Sequence, residues 1–166
     1  MQAHATLYHR YSLAMYHTCL RIVNNPADAE DILQEAFLQA FKSLEKLNDQ
    51  NAFAGWIKRI VINRSIDFLR RRQKSLLVHK DLPEYELPQE EEAIDEAMFA
   101  GKVSLIRQAL DTLPDKYRLV MNLHVFEKMS FEQVADLLNI PSATVRSQYL
   151  RARQKIIAQL KATKQL

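Results

Sequence analysis

Ser130-Phe131-Glu132-Gln133-Val134-Ala135-Asp136-Leu137-Leu138-Asn139-Ile140-Pro141-Ser142-Ala143-Thr144-Val145-Arg146-Ser147-Gln148-Tyr149 reads as a short helix, a three-residue turn and the start of a longer helix. Ser130 and Gln133 have the spacing of a capping box, in which each side chain satisfies the other residue's backbone N–H. Phe131, Val134, Ala135 and Leu138 form a short apolar stripe. Asn139 tolerates the left-handed conformation that ends a helix, and Ile140 can plug the gap between helices. Pro141 forbids continuation, and Ser142 is expected to cap the next helix. Within that helix Val145, Tyr149, Ala152 and Ile156 are expected to face inward, and Thr144, Ser147, Gln148, Arg151 and Lys155 outward. Ala135 is small enough for two helices to cross closely. This is the spacing of a helix-turn-helix, whose second helix enters the major groove of DNA. A plain structural hairpin is the alternative. Against it, Ser142 to Leu166 holds six Lys/Arg and no acid, where a merely solvated face mixes both signs.

The rest of the chain agrees with an all-α fold. Two glycines, Gly55 and Gly101, and five prolines in 166 residues are too few for a sheet-rich fold with many hairpins. The single cysteine, Cys19, excludes an intramolecular disulfide and a cysteine-based zinc site; a buried apolar thiol is its ordinary role. No apolar run approaches the ~18 residues of a membrane span, and Met1 to Thr6 lacks the basic-then-apolar pattern of a signal peptide. No membrane insertion, cofactor or metal is expected. The net charge of +3 is unevenly spread. Lys58 to Lys80 holds eight Lys/Arg and one acid, while Asp81 to Ala100 holds eight acids and no Lys/Arg. Two basic patches around an acidic block suggest two polyanion-binding surfaces and a linker.

A first helix is expected from about Ala5 to Val23, with Leu7, Tyr11, Ala14, Met15, Thr18 and Ile22 on its core face. Asn24-Asn25-Pro26 breaks and restarts the chain, with Asn25 as N-cap and Pro26 in the first turn. Ala29, Ile32, Leu33, Ala36, Phe37, Ala40, Phe41 and Leu44 then make a regular amphipathic stripe. The opposite face carries Asp28, Asp31, Gln34, Glu35, Leu38 and Gln39, so Leu38 is an apolar residue among polar ones. A third helix is expected from about Ala52 to Arg72, with Phe53, Trp56, Ile57, Ile60 and Val61 inward. Its second face carries Arg59, Asn63, Asp67 and Arg70. The chain therefore divides into two small helical domains, residues 1–74 and 95–166, joined by a flexible acidic linker over 75–94. In the second domain, a helix from near Asp95 to Asp111 precedes one from Pro114 to about Glu127, with Tyr117, Val120, Met121, Leu123, His124 and Val125 as core candidates.

These motifs resemble the extracytoplasmic-function sigma factors of the bacterial sigma-70 family, over nearly the whole chain. Asp28 to Phe37 looks like the core-polymerase-binding segment of region 2. Phe53 and Trp56 through Ile66-Asp67-Phe68-Leu69-Arg70-Arg71-Arg72 looks like the helix that melts and reads the −10 element. Leu110-Asp111-Thr112-Leu113-Pro114 and Ser130 to Lys155 look like region 4. The resemblance implies a transcription initiation factor of the bacterial cytoplasm and not an enzyme. Its partners would be core RNA polymerase, at the largest-subunit coiled coil and the flap, and promoter DNA. An anti-sigma factor, often membrane-anchored in this family, would hold it inactive at the inner membrane. Asp31, Gln34, Glu35, Leu38 and Gln39 would dock on the coiled coil, Leu38 as apolar anchor inside a charged rim. The melted −10 strand would lie between the loop Leu47 to Phe53 and the third helix. There Asn63 would contact a base, and Arg59, Arg64, Arg70 and Arg71 would hold phosphates. The −35 duplex would meet Ser142, Thr144, Ser147, Gln148 and Arg151, with Arg146, Arg153 and Lys155 on phosphates. The sequence departs from the family pattern at Ala143 and Asn139, where Gly is common, and at Gln148, where Arg is common. The last departure bears on which −35 sequence is read.

Other functions are weaker. A stand-alone helix-turn-helix regulator would need a dimerisation or ligand domain, and none is evident. A carboxylate-bridged metal enzyme needs Glu-x-x-His pairs, and no histidine stands three residues after a glutamate. A purely protein-binding regulator leaves the second basic patch without a purpose.

Overall fold

The computed structural model describes residues 2–47, 49, 52–72 and 103–163. Within them every regular element is helical. The chain divides into two compact units, Met1–Leu76 and Leu77–Leu166. The expected linker, and the expected helix start near Asp95, lie outside the described residues.

The first unit packs three helices on one another: α1 (Gln2–Val23), α2 (Pro26–Lys42) and α3 (Phe53–Arg72). Helix α1 begins three residues earlier than its apolar pattern suggested. Its buried face is Met15, Thr18, Cys19, Ile22 and Val23, while Ala14 is exposed. Asn24 closes α1 in the left-handed region (φ 53°), donating its N–H to the Leu20 carbonyl at 2.8 Å. Asn25 then caps α2 through its Oδ1, which accepts the Asp28 N–H at 3.1 Å. The α2 stripe is buried at Ala29, Ile32, Leu33, Ala36, Phe37 and Ala40. Three of these are alanines with no exposed surface, which lets the neighbouring helices approach closely.

Helix α3 departs from expectation. Its buried face runs Phe53, Ile57, Val61, Ile62, Ser65, Ile66 and Leu69, and Trp56 and Ile60 are only half-buried. Ser65 enters the core because its hydroxyl donates to the Val61 carbonyl at 2.8 Å, one turn back.

The second unit wraps α4 (Val103–Asp111), α5 (Asp115–Met121) and α6 (Phe131–Leu138) around the long α7 (Ser142–Thr163). Ala109, Leu110, Leu113, Tyr117, Ala152 and Ile156 form one buried cluster. The helix expected to reach Glu127 does not stay regular. From Asn122 to Phe126 it widens into a π-helical turn, closed by the Glu127 N–H donating to the Asn122 carbonyl at 3.1 Å. Arg118, read as nothing in the sequence, is buried. It donates to the Leu113 carbonyl at 3.0 Å and pairs with Asp115.

Candidate functional site

The α6–turn–α7 segment forms as its residues dictate. The capping box is complete: the Gln133 N–H donates to Ser130 Oγ at 3.1 Å, and the Ser130 N–H donates to Gln133 Oε1 at 2.8 Å. Asn139 is left-handed (φ 55°, ψ 48°). Its N–H donates to the Asp136 carbonyl and the Ile140 N–H to the Ala135 carbonyl, the paired bonds of a Schellman motif. Ser142 is not the cap of α7. It is the first helical residue, and the Pro141 carbonyl accepts the Thr144 and Val145 N–H groups at 3.0 and 3.1 Å.

Val145, Ala152 and Ile156 anchor α7 inward. Ser142, Arg146 and Lys155 are exposed, and Thr144, Ser147, Gln148, Arg151 and Arg153 are half-exposed along the same helix. Two of these cations rest on aromatic rings: Arg146 lies 5.5 Å from the Phe131 ring centre, and Lys155 lies 6.0 Å from that of Tyr117. His124, a core candidate in the sequence, is half-buried; it stacks on Phe131 at 4.2 Å, and its Nδ1 lies 2.8 Å from the Met129 carbonyl.

In the first unit, Asp31, Gln34, Glu35, Leu38 and Gln39 all stand exposed on α2. Leu38 is 59% exposed, a large apolar side chain ringed by polar ones. Arg59 and Asn63 are exposed on α3, and Arg70 is half-exposed. Arg70 pairs with Asp67 at 3.2 Å, and Arg71 Nε donates to the Asp67 carbonyl at 3.3 Å. Arg64 is the exception among the expected phosphate contacts. Its Nη1 pairs with Glu35 at 2.5 Å and its Nε donates to Gln39 at 2.7 Å. The structure thus joins Arg64 to the α2 face and not to Asn63 and Arg59. Eight residues further along α3, Arg72 reaches Asp28 at 3.3 Å. Of the loop expected to border the −10 strand, Asn48, Gln50 and Asn51 lie outside the described residues.

A groove of about 450 Å³ between α1 and α2 was not read from the sequence; Tyr8, Leu13, Tyr16, Glu30 and Gln34 line it. Leu13 on its edge is 69% exposed, which a single-helix stripe analysis treats as an ordinary surface leucine. Among the described residues no group of three or more His, Cys, Asp or Glu is placed to hold a metal ion. Nor is any described helix long and apolar enough to cross a membrane.

A capped short helix, a left-handed turn and a basic helix without acids make the second unit a helix-turn-helix, and the chain a DNA-binding protein of transcription. Comparison narrows this class. Residues 7–75 match the sigma-70 region 2 family, and residues 104–156 match sigma-70 region 4. The chain is 30% identical over 159 residues to the ECF RNA polymerase sigma factor SigW of Bacillus subtilis (strain 168), covering 91% of this chain and 85% of that protein. It is 31% identical over 145 residues to the RNA polymerase sigma-H factor of Pseudomonas aeruginosa, covering 82% and 75%. The chain belongs to the sigma-70 family, among its extracytoplasmic-function RNA polymerase sigma factors. The fold is also that of two solved complexes. One is the sigma factor RpoE with the anti-sigma factor NepR from Bartonella quintana (TM-score 0.58, 16% identity, 97% of this chain and 98% of that one). The other is CnrH with the cytosolic domain of CnrY (TM-score 0.53, 23% identity, 97% and 89%).

Proposed function

We propose that this sigma factor docks on core RNA polymerase through the α2 face and directs initiation by reading two promoter elements, one with each unit. Asp31, Gln34, Glu35 and Gln39 supply a polar rim around Leu38, a pattern suited to a basic coiled-coil partner. Arg64 joins this docking face, since it already holds Glu35 and Gln39. Asn63, with Arg59, Arg70 and Arg71, takes the melted −10 strand; an amide both donates to and accepts from an unpaired base. Ser142, Thr144, Ser147, Gln148 and Arg151 meet the −35 duplex in the major groove, and Arg146, Arg153 and Lys155 its phosphates. Melting energy comes from trapping unpaired bases, so no hydrolytic chemistry is required. The factor works in the bacterial cytoplasm, and an anti-sigma factor restrains it.

The observation that carries this reading is the acid-free helix α7 set behind a complete capping box and a left-handed turn. Run-off transcription with purified core polymerase, followed by start-site mapping, tests it. Initiation at defined sites is expected, and a folded chain that never starts RNA synthesis on any bacterial template would overturn it. Docking is tested separately with Asp31→Lys combined with Leu38→Asp, two exposed positions. Co-purification with core polymerase should fall at least tenfold while the helical circular dichroism stays unchanged; undiminished co-purification rules out the α2 assignment.

A further inference from the structure

Phe131 sits where three elements meet. His124 of the π-helical turn stacks on its ring at 4.2 Å with the two planes 20° apart. Tyr149 of α7 closes the cluster, 5.4 Å from Phe131 and 5.0 Å from His124. The Arg146 guanidinium lies 5.5 Å from the same Phe131 ring centre. The ring is held from behind, because His124 is itself fixed by its Nδ1 contact to the Met129 carbonyl at 2.8 Å. Phe131 is only half-buried, so its ring stays accessible from the side on which Arg146 rests. Arginine is the side chain with most rotamer freedom to lose when it grips a phosphate, and the planar guanidinium stacks well on an aromatic face.

We propose that Phe131 is a positioning residue for promoter recognition: with His124 and Tyr149 it forms an aromatic shelf that pre-sets the Arg146 guanidinium for a −35 phosphate. The proposal rests on the reading of α7 as the duplex-binding helix. A second local feature supports it. Glu132, next to the shelf, has its carboxyl held below the ordinary range by its own backbone N–H, then by the Ser130 hydroxyl, with a smaller contribution from Arg146. The Arg146 charge thus acts weakly on the neighbouring carboxyl, while the contact with the Phe131 ring is what restricts where the arginine points before DNA arrives. Pre-ordering one rotamer-rich side chain is worth about threefold to tenfold in affinity.

The test is a double-mutant cycle on the holoenzyme, using fluorescence anisotropy with a labelled promoter duplex chosen by start-site mapping. Arg146→Ala should weaken binding and lower the slope of log affinity against log salt by about 0.9, the signature of one lost phosphate contact. Phe131→Leu should weaken binding about threefold to tenfold with the slope unchanged, because the contact is still made but less well prepared. In the Arg146→Ala background, Phe131→Leu should then have no further effect. Phe131→Tyr, which keeps the ring, should bind like the wild type and covers the case in which the leucine variant folds poorly. If the losses multiply instead, or if Phe131→Tyr is as weak as Phe131→Leu, Phe131 only supports the fold and the proposal is wrong. Failure of the wild type to initiate at any promoter, or an Arg146→Ala variant that binds undiminished, removes the α7 reading itself and is a different result.

Discussion

Cys19 of α1 is buried with no exposed surface, close to Ser65 of α3. Burial pushes its thiol from 9.0 up to about 11, with Ser65 acting in the opposite sense. The folded protein therefore holds the thiol proton more tightly than the unfolded chain does. The stability this contributes is complete below pH 9 and is lost as pH rises through about 11, amounting to about 2–3 kcal/mol. Cys19→Ala should remove that part of the alkaline fall in denaturant stability; an identical pH profile in both proteins would contradict it. Asn139 gives a second single-residue expectation. At φ 55° an alanine is strained and a glycine is not. Asn139→Ala should cost about 1 kcal/mol and Asn139→Gly close to nothing, measured by thermal melting. Arg118 is the costliest of these residues to lose. Buried and shared between Asp115 and the Leu113 carbonyl, it should cost about 3 kcal/mol as Arg118→Ala.

At the scale of elements, the pair α2–α3 matters most. The sequence placed Asp31, Glu35 and Leu38 on one face because a period of 3.6 is enough to do that. The period could not say that Arg64, far along the chain on another helix, closes onto Glu35 and Gln39. That pair is surface-exposed, so it contributes less than about 1 kcal/mol to stability. Its consequence is orientation of Glu35 and Gln39, two side chains of the proposed docking face. Arg64→Ala should leave the melting temperature nearly unchanged but weaken binding of core polymerase, as read by competition against wild-type factor. If the variant loses only single-strand binding, Arg64 is a phosphate contact after all. The drift of the α3 core face from Trp56 and Ile60 toward Ile62, Ser65 and Ile66 has a similar origin. A helix packed on two others buries a broad face, and an apolar count on one stripe misses a serine whose hydroxyl bonds its own backbone.

On the proposed function each of the two units carries one DNA-reading helix, α3 in one and α7 in the other. The proposed −10 set lies in one unit and the proposed −35 set in the other. Mutational losses in the two sets should therefore combine as independent factors on a polymerase scaffold. Asn63→Ala and Arg151→Ala, combined in one holoenzyme, should lose the product of their separate losses in promoter affinity. That contrasts with Phe131→Leu and Arg146→Ala, which share one contact and should not multiply. A combined loss well short of the product for Asn63 and Arg151 would mean that the two elements are not read separately.

Local chemistry decided the helical character of the described segments, the caps at Asn25 and Ser130, the left-handed Asn139 and the apolar stripe of α2. Each depends on residues within one or two turns of one another, and short-range spacing carries that information in full. Three-dimensional packing alone decided that Arg64 belongs with α2, that Arg118 is buried, that the segment after Met121 widens into a π-helical turn, and that Phe131 carries Arg146. Those contacts join residues on different helices, or set burial that charge and composition oppose, and their energies exist only once the helices have met.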